Sequence, residues 1–215
     1  MAEQLNNDEF DKLKLLYKKY GSKLIILISV ILITIIVWQY WQKRELENNL
    51  QAAKIYQNFA LIADNSPNNA DAISHQAQKL INLYPNSIFA DFIRLEIAKQ
   101  SVLSDNLDQA IISLTQVAKD SINQNLQAIA KLRLARIELT QHKIDKAITT
   151  LKSIDLDGYA LSSNMLLGDS YFQKKDYIEA KIYWQKALHT AQRTELASIK
   201  NLIQMKINNL GTLST

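Results

Sequence analysis

LSSNMLLGDSYFQKKDYIEAKIYWQKALHTAQRT, running from Leu161 to Thr194, reads as two helices joined by a polar break at Lys174–Asp176. On both sides of that break apolar residues recur every three or four positions, the spacing that lines one face of an α-helix. Leu167-Gly168, Tyr171, Ala180, Trp184 and Ala187 form a packing set within it. Small residues at Gly168 and Ala180 let two helix backbones approach closely, while Tyr171 and Trp184 fill the space beside them. A single hairpin of this size cannot bury its apolar face, so the stretch predicts neighbours of the same kind stacked against it.

Those neighbours are present. One repeat before Ala180 stands Ala147 in KIDKAITTL, with Leu134-Ala135 at the place of Leu167-Gly168. A further repeat back stands Ala110 in NLDQAIISL, with Ile97-Ala98 before it. The order and spacing match the tetratricopeptide repeat (TPR) pattern. Asn48–Tyr84 predicts a fourth, degenerate hairpin ended by Pro85, and Glu195–Leu210 a capping helix with Leu196, Ile199, Ile203, Ile207 and Leu210 on one face. Short polar breaks, at Ser66–Asn69, Pro85–Ser87, Asp105–Asn106, Ser121–Asn125, Gln141–Lys143 and before Gly158, separate the other helices. No window alternates with period two, and four Gly and two Pro are too few for the tight turns of a β-sandwich. The fold class expected is all-α: a TPR-like helical-hairpin solenoid over residues 45–215, preceded by a single transmembrane helix.

That helix is LIILISVILITIIV, Leu24 to Val37, interrupted only by Ser29 and Thr34. Extended to Trp41 it has eighteen residues, about 27 Å at the α-helical rise, against a hydrocarbon core of roughly 30 Å. Tyr17 and Tyr20 precede it, and Trp38, Tyr40 and Trp41 follow, placing amphipathic rings at both expected membrane interfaces. A cleaved signal peptide would end in small residues, whereas this run ends in WQYWQKRE. A buried core helix would keep a polar stripe, and this one has none. Lys12, Lys14, Lys18, Lys19 and Lys23 crowd the short preceding segment, against Lys43, Arg44 and Lys54 after the span. The positive-inside rule then puts residues 1–23 in the cytoplasm, residues 24–41 in the membrane and the hairpins on the far side.

The remaining chemistry argues for binding rather than catalysis. The net charge is +4, but outside the tail Lys and Arg are interspersed with Asp and Glu, with no basic stripe suited to nucleic acid. There is no cysteine, hence no disulfide or thiolate metal site. His75, His142 and His189 fall in three separate hairpins, without the three- or four-residue spacing of helical metal ligands, and read as solvated. No Gly-rich phosphate loop or nucleophile elbow occurs, so neither a cofactor nor a small-molecule substrate is expected. Asp155 and Asp157 flank a loop and are expected as turn and N-cap formers.

In TPR stacks the first helix of each hairpin lines the concave wall. By repeat register that wall comprises Phe92, Leu95, Lys99, Leu132, Arg136, Leu139, Met165, Asp169 and Phe172, a set of apolar anchors with sparse charge suited to a peptide segment. The competing expectation is that several of these pack against neighbouring helices.

With these residues placed, the chain resembles the YfgM-like family of ancillary subunits of the bacterial SecYEG translocon. The resemblance rests on the basic tail, the single anchor with its aromatic cluster, NLQAIAKLRLARIEL from Asn125 to Leu139, and MKINNL from Met205 to Leu210. It implies an anchor in the inner membrane and a helical domain in the periplasm. It also implies two partners, the translocon and a membrane-anchored, PpiD-like chaperone, with a role in assisting newly exported proteins and no catalytic residues. An envelope-stress adaptor that sequesters a signalling protein is the alternative. An adaptor acting on a cytosolic target would depend on residues 1–23, whereas a translocon scaffold would depend on the hairpins.

Overall fold

The structure, a computed structural model, describes residues 2–66, 69–192 and 197–211, and every regular element among them is helical. It forms two compact units, Met1–Gln51 and Ala52–Thr215. Tyr17 and Tyr20, expected at a membrane interface, lie outside the residues whose side chains are described.

Helix α1 (Ala2–Asn65) carries the apolar run, which lies in the first unit. Among the described residues one helix is long and apolar enough to cross a membrane, and none of its side chains from Ile25 to Trp41 is buried. An apolar surface exposed around the full circumference suits lipid as the solvent. The two polar interruptions fit as well. Ser29 Oγ donates to the Ile25 carbonyl at 2.8 Å and Thr34 Oγ1 to the Val30 carbonyl at 2.8 Å, so neither hydroxyl needs water. Trp38, Tyr40 and Trp41 are exposed directly after the run.

The second unit is a stack of hairpins. The end of α1 is followed by α2 (Ala70–Leu83), then α3 (Ile88–Leu103) pairs with α4 (Leu107–Asp120). Next α5 (Gln124–Thr140) pairs with α6 (Ile144–Lys152), α7 (Ala160–Gln173) pairs with α8 (Tyr177–Gln192), and α9 (Ala197–Gly211) closes the series. The repeat register holds in the packing. Ala110, Ala147 and Ala180 are fully buried on the second helices, opposite buried Ala98, Ala135 and Gly168 on the first. An ideal Cβ on Gly168 would lie 2.2 Å from Trp184 Cδ1, so α7 meets α8 at a distance only glycine permits. Among the described residues four small cores result, and α3, α5 and α7 each contribute to two of them. That sharing couples each hairpin to the next and makes the stack quasi-one-dimensional.

The polar breaks earn their places as caps. Ser87, Asn106 and Asn123 accept hydrogen bonds from the first-turn amides of α3, α4 and α5, and Asp176 does so for α8. Asp155 and Asp157 do not cap a helix, contrary to expectation. Asp157 opens a 3-10 turn, Asp157–Tyr159, and α7 starts after Tyr159 with no side-chain cap. The turns inside the last three hairpins share one geometry. Asp105, His142 and Lys175 take φ of 56°, 59° and 65°. The next amide in each reaches back to a carbonyl five residues earlier, Asn106 to Ser101, Lys143 to Glu138 and Asp176 to Tyr171. This is the Schellman closure of a helix end, here built without glycine.

Among the described residues three charged side chains are buried: Asp91, Arg94 and Glu138. Arg94 and Asp91 are both buried and paired at 3.0 Å, with Arg94 Nη1 also donating to the Pro85 carbonyl at 2.8 Å, which fastens the α2–α3 connection to α3. Glu138 is fully buried on α5, accepts from Thr150 Oγ1 at 2.9 Å and pairs with Lys146 at 3.2 Å, both on α6.

Candidate partner-binding cleft

The first helices of the hairpins carry the residues expected along the concave wall, and the structure sorts them into three groups. Leu95, Leu132 and Leu139 are buried in the cores of the α3–α5 and α5–α7 layers. They hold the hairpins together and are closed to a partner, which corrects their place in the expected wall. Phe92 and Met165 are half-buried. The Phe92 ring lies 5.9 Å from Tyr56 and 6.3 Å from Phe89, and Met165 packs on the α7–α9 core. Phe172 is partly exposed at the end of α7, with its ring 5.6 Å from Tyr177 and 5.7 Å from Trp184.

The charged members of the set share one repeat register and meet different fates. Asp169 accepts from Trp184 Nε1 at 3.0 Å and pairs with Lys206 of α9, whose ammonium also lies 5.4 Å over the Trp184 ring. Its charge is consumed within the fold. Lys99 and Arg136 are exposed, and both line an open cleft of about 320 Å³ between α3 and α5. Ala98, Leu114 and Ile137 form its apolar interior, Val102 and Leu103 its exposed apolar mouth, and Arg133 completes the rim.

Arg133 spans the cleft, donating from Nη1 to the Leu95 carbonyl at 3.5 Å. Glu96 pairs with Lys99 at 3.1 Å and accepts from Gln100 at 2.9 Å. Partial burial pushes the Glu96 carboxyl up. Hydrogen bonds from Gln100 and Lys99, with the charges of Lys99 and Arg133, outweigh that and hold it below its ordinary value. The cleft is therefore an apolar recess with three cations and one engaged carboxylate around it. At its size, near the lower end of the roughly 300–1,000 Å³ typical of ligand pockets, it accepts a large side chain or two.

Repeat register alone identified Lys99 and Arg136. Val102, Leu103, Leu114 and Ile137 were not identified from sequence, because the gap between α3 and α5 depends on how far adjacent hairpins splay. Among the described residues no group of His, Cys, Asp and Glu is placed to hold a metal ion. His75, His142 and His189 are all exposed.

Comparison with known proteins places this geometry in context. The family model of the tetratricopeptide repeat-like domain matches residues 14–212. A protein of Escherichia coli named ancillary SecYEG translocon subunit is 28% identical over 206 residues, covering 95% of this chain and 96% of its own. Its namesake in Buchnera aphidicola is 28% identical, covering 86% and 92%, and that of Haemophilus influenzae is 23% identical, covering 94% and 96%. No solved structure matches the chain significantly.

Proposed function

The chain belongs to the family of tetratricopeptide repeat-like proteins, and from that premise we propose that it is a YfgM-like, single-pass inner-membrane scaffold at the SecYEG translocon. Residues 1–23 form its cytoplasmic tail, 24–41 its anchor and 45–215 a periplasmic binding domain. It docks a PpiD-like membrane-anchored chaperone and assists newly exported proteins without catalysing a reaction. The observation that carries this reading is end-to-end similarity to proteins named as ancillary translocon subunits, spanning anchor and hairpins alike. The anchor has a physical role in it. Confinement in one membrane raises the effective concentration of partners, so individually weak contacts suffice.

The test is affinity purification of the full chain from membranes solubilised in mild detergent, with detection of translocon subunits and chaperone. Co-purification that survives replacement of residues 1–23 but fails when the hairpins are replaced is expected. Absence of the translocon from the purified complex would overturn the proposal. Protease added to spheroplasts should remove the hairpins and spare the tail, and protection of the hairpins would reverse the orientation.

A further inference from the structure

We infer that the cleft between α3 and α5 binds an apolar side chain of a protein segment whose flanking residues are acidic. The inference rests on the scaffold reading and specifies what the scaffold recognises. Two independent features select this occupant.

The first is the apolar recess itself. Leu103 is 73% exposed and Val102 is 45% exposed, although both adjoin the buried Ala98 and Leu114. A lone exposed leucine is ordinary, but an exposed pair continuous with an open apolar floor forms a contact surface. Leu103 is also fixed in place. It is the last residue of α3, and the left-handed turn at Asp105 closes the helix just beyond it.

The second feature is charge. Lys99, Arg133 and Arg136 surround the recess, and the carboxylate that lines up against them, Glu96, is already engaged by Lys99 and Gln100. Arg136 makes no ion pair among the described residues. A basic segment would be repelled at such a rim, and an acidic one attracted to it. The repeat-equivalent position one hairpin on is Asp169, paired with Lys206, so the cationic register of Lys99 and Arg136 does not continue onto α7.

The experiment uses the full chain in detergent micelles and two dye-labelled peptides, acetylated and amidated, each with a central Leu-Leu pair. One peptide carries Asp and Glu on both flanks, and the other carries Lys. Fluorescence anisotropy at low salt should show the acidic peptide binding about tenfold tighter or more, with the advantage shrinking as salt rises. Lys99→Glu combined with Arg136→Glu should reverse the preference towards the Lys peptide. Both residues are exposed, so unchanged helical circular dichroism is expected to verify the fold. Replacing Leu-Leu by Ser-Ser should abolish binding of either peptide.

Equal affinity for the two peptides, or no reversal in the doubly substituted protein, overturns the inference. So does a double substitution whose only effect is on self-association in sedimentation, which would assign the cleft to a second copy. Failure here with translocon co-purification intact leaves the scaffold standing. Peptide preference without co-purification supports the cleft and sinks the scaffold.

Discussion

Gly168→Ala should destabilise the hairpin stack although alanine is the better helix former. The new methyl would lie 2.2 Å from Trp184 Cδ1, 2.4 Å from Nε1 and 2.8 Å from Cγ. Carbon atoms in contact rest about 3.5–4.0 Å apart, so the indole must retreat by more than about 1 Å. It has little room to do so: Trp184 is buried, its Nε1 is held by Asp169 at 3.0 Å, and Phe172 and Lys206 pack on its ring. Overpacking costs about 1–3 kcal/mol, and a lost hydrogen bond to a carboxylate about 1.5–3 kcal/mol. Against these stands a gain of about 1 kcal/mol in helix propensity, leaving a net loss of about 1.5–5 kcal/mol. With Trp38 and Trp41 changed to Phe, Trp184 is the sole tryptophan and its fluorescence reports urea unfolding of the full chain in micelles. Gly158→Ala is the internal control, since nothing lies within 4 Å of its Cβ position and its φ is not positive. That variant should be neutral or gain up to about 1 kcal/mol. Combining Gly168→Ala with Trp184→Leu should cost no more than Trp184→Leu alone, with unfolding of these two proteins followed by helical circular dichroism because the reporting indole is gone. A Gly168→Ala protein as stable as the parent would refute the argument that the indole dictates glycine here.

Three other perturbations follow from the same reasoning. His142→Gly and Lys175→Gly should each stabilise by about 1 kcal/mol in the same unfolding assay, because a left-handed φ strains residues with a Cβ; Asp105→Gly should gain less, since aspartate tolerates that region. Asp91→Ala should cost about 3–5 kcal/mol by stranding the buried Arg94, and Asp91→Leu with Arg94→Met should recover most of the loss. The depressed Glu96 pKa means its contribution is present above the unfolded-state carboxyl pKa and lost as pH falls through the folded value. Glu96→Gln should therefore lower the unfolding midpoint at neutral pH and cease to do so in acid. A constant difference at all pH values would contradict the Glu96 assignment.

How much of this could be read in advance varied with the kind of residue. The hairpin stack was legible because alanine and glycine at close approaches recur in register, and few other residues fit at Ala98, Ala135 or Gly168. The breaks were legible because Ser87, Asn106 and Asn123 are the residue types whose oxygens cap helices. The wall was legible only in part. Helices α3 and α5 pack on two sides, so their apolar residues surround the axis and register alone could not tell Leu95, which is buried, from Leu103, which is exposed. Interior charge was the least legible. Asp91, Arg94 and Glu138 have spacings common on solvated helix faces, and only the assembled layers reveal their partners in the Pro85 carbonyl, Thr150 and Lys146.

The tie between Lys206 and Asp169 sets a ruler for whatever the stack grips. By supplying its own ammonium to the third position of a series that begins with Lys99 and Arg136, the closing helix plugs that position from within. Two cationic stations remain, one on α3 and one on α5. Packed helices stand about 8–10 Å apart, and an extended chain advances about 3.3–3.6 Å per residue, so the readable footprint is only a handful of residues. A surface limited to so short a read would meet many sequences briefly and none for long.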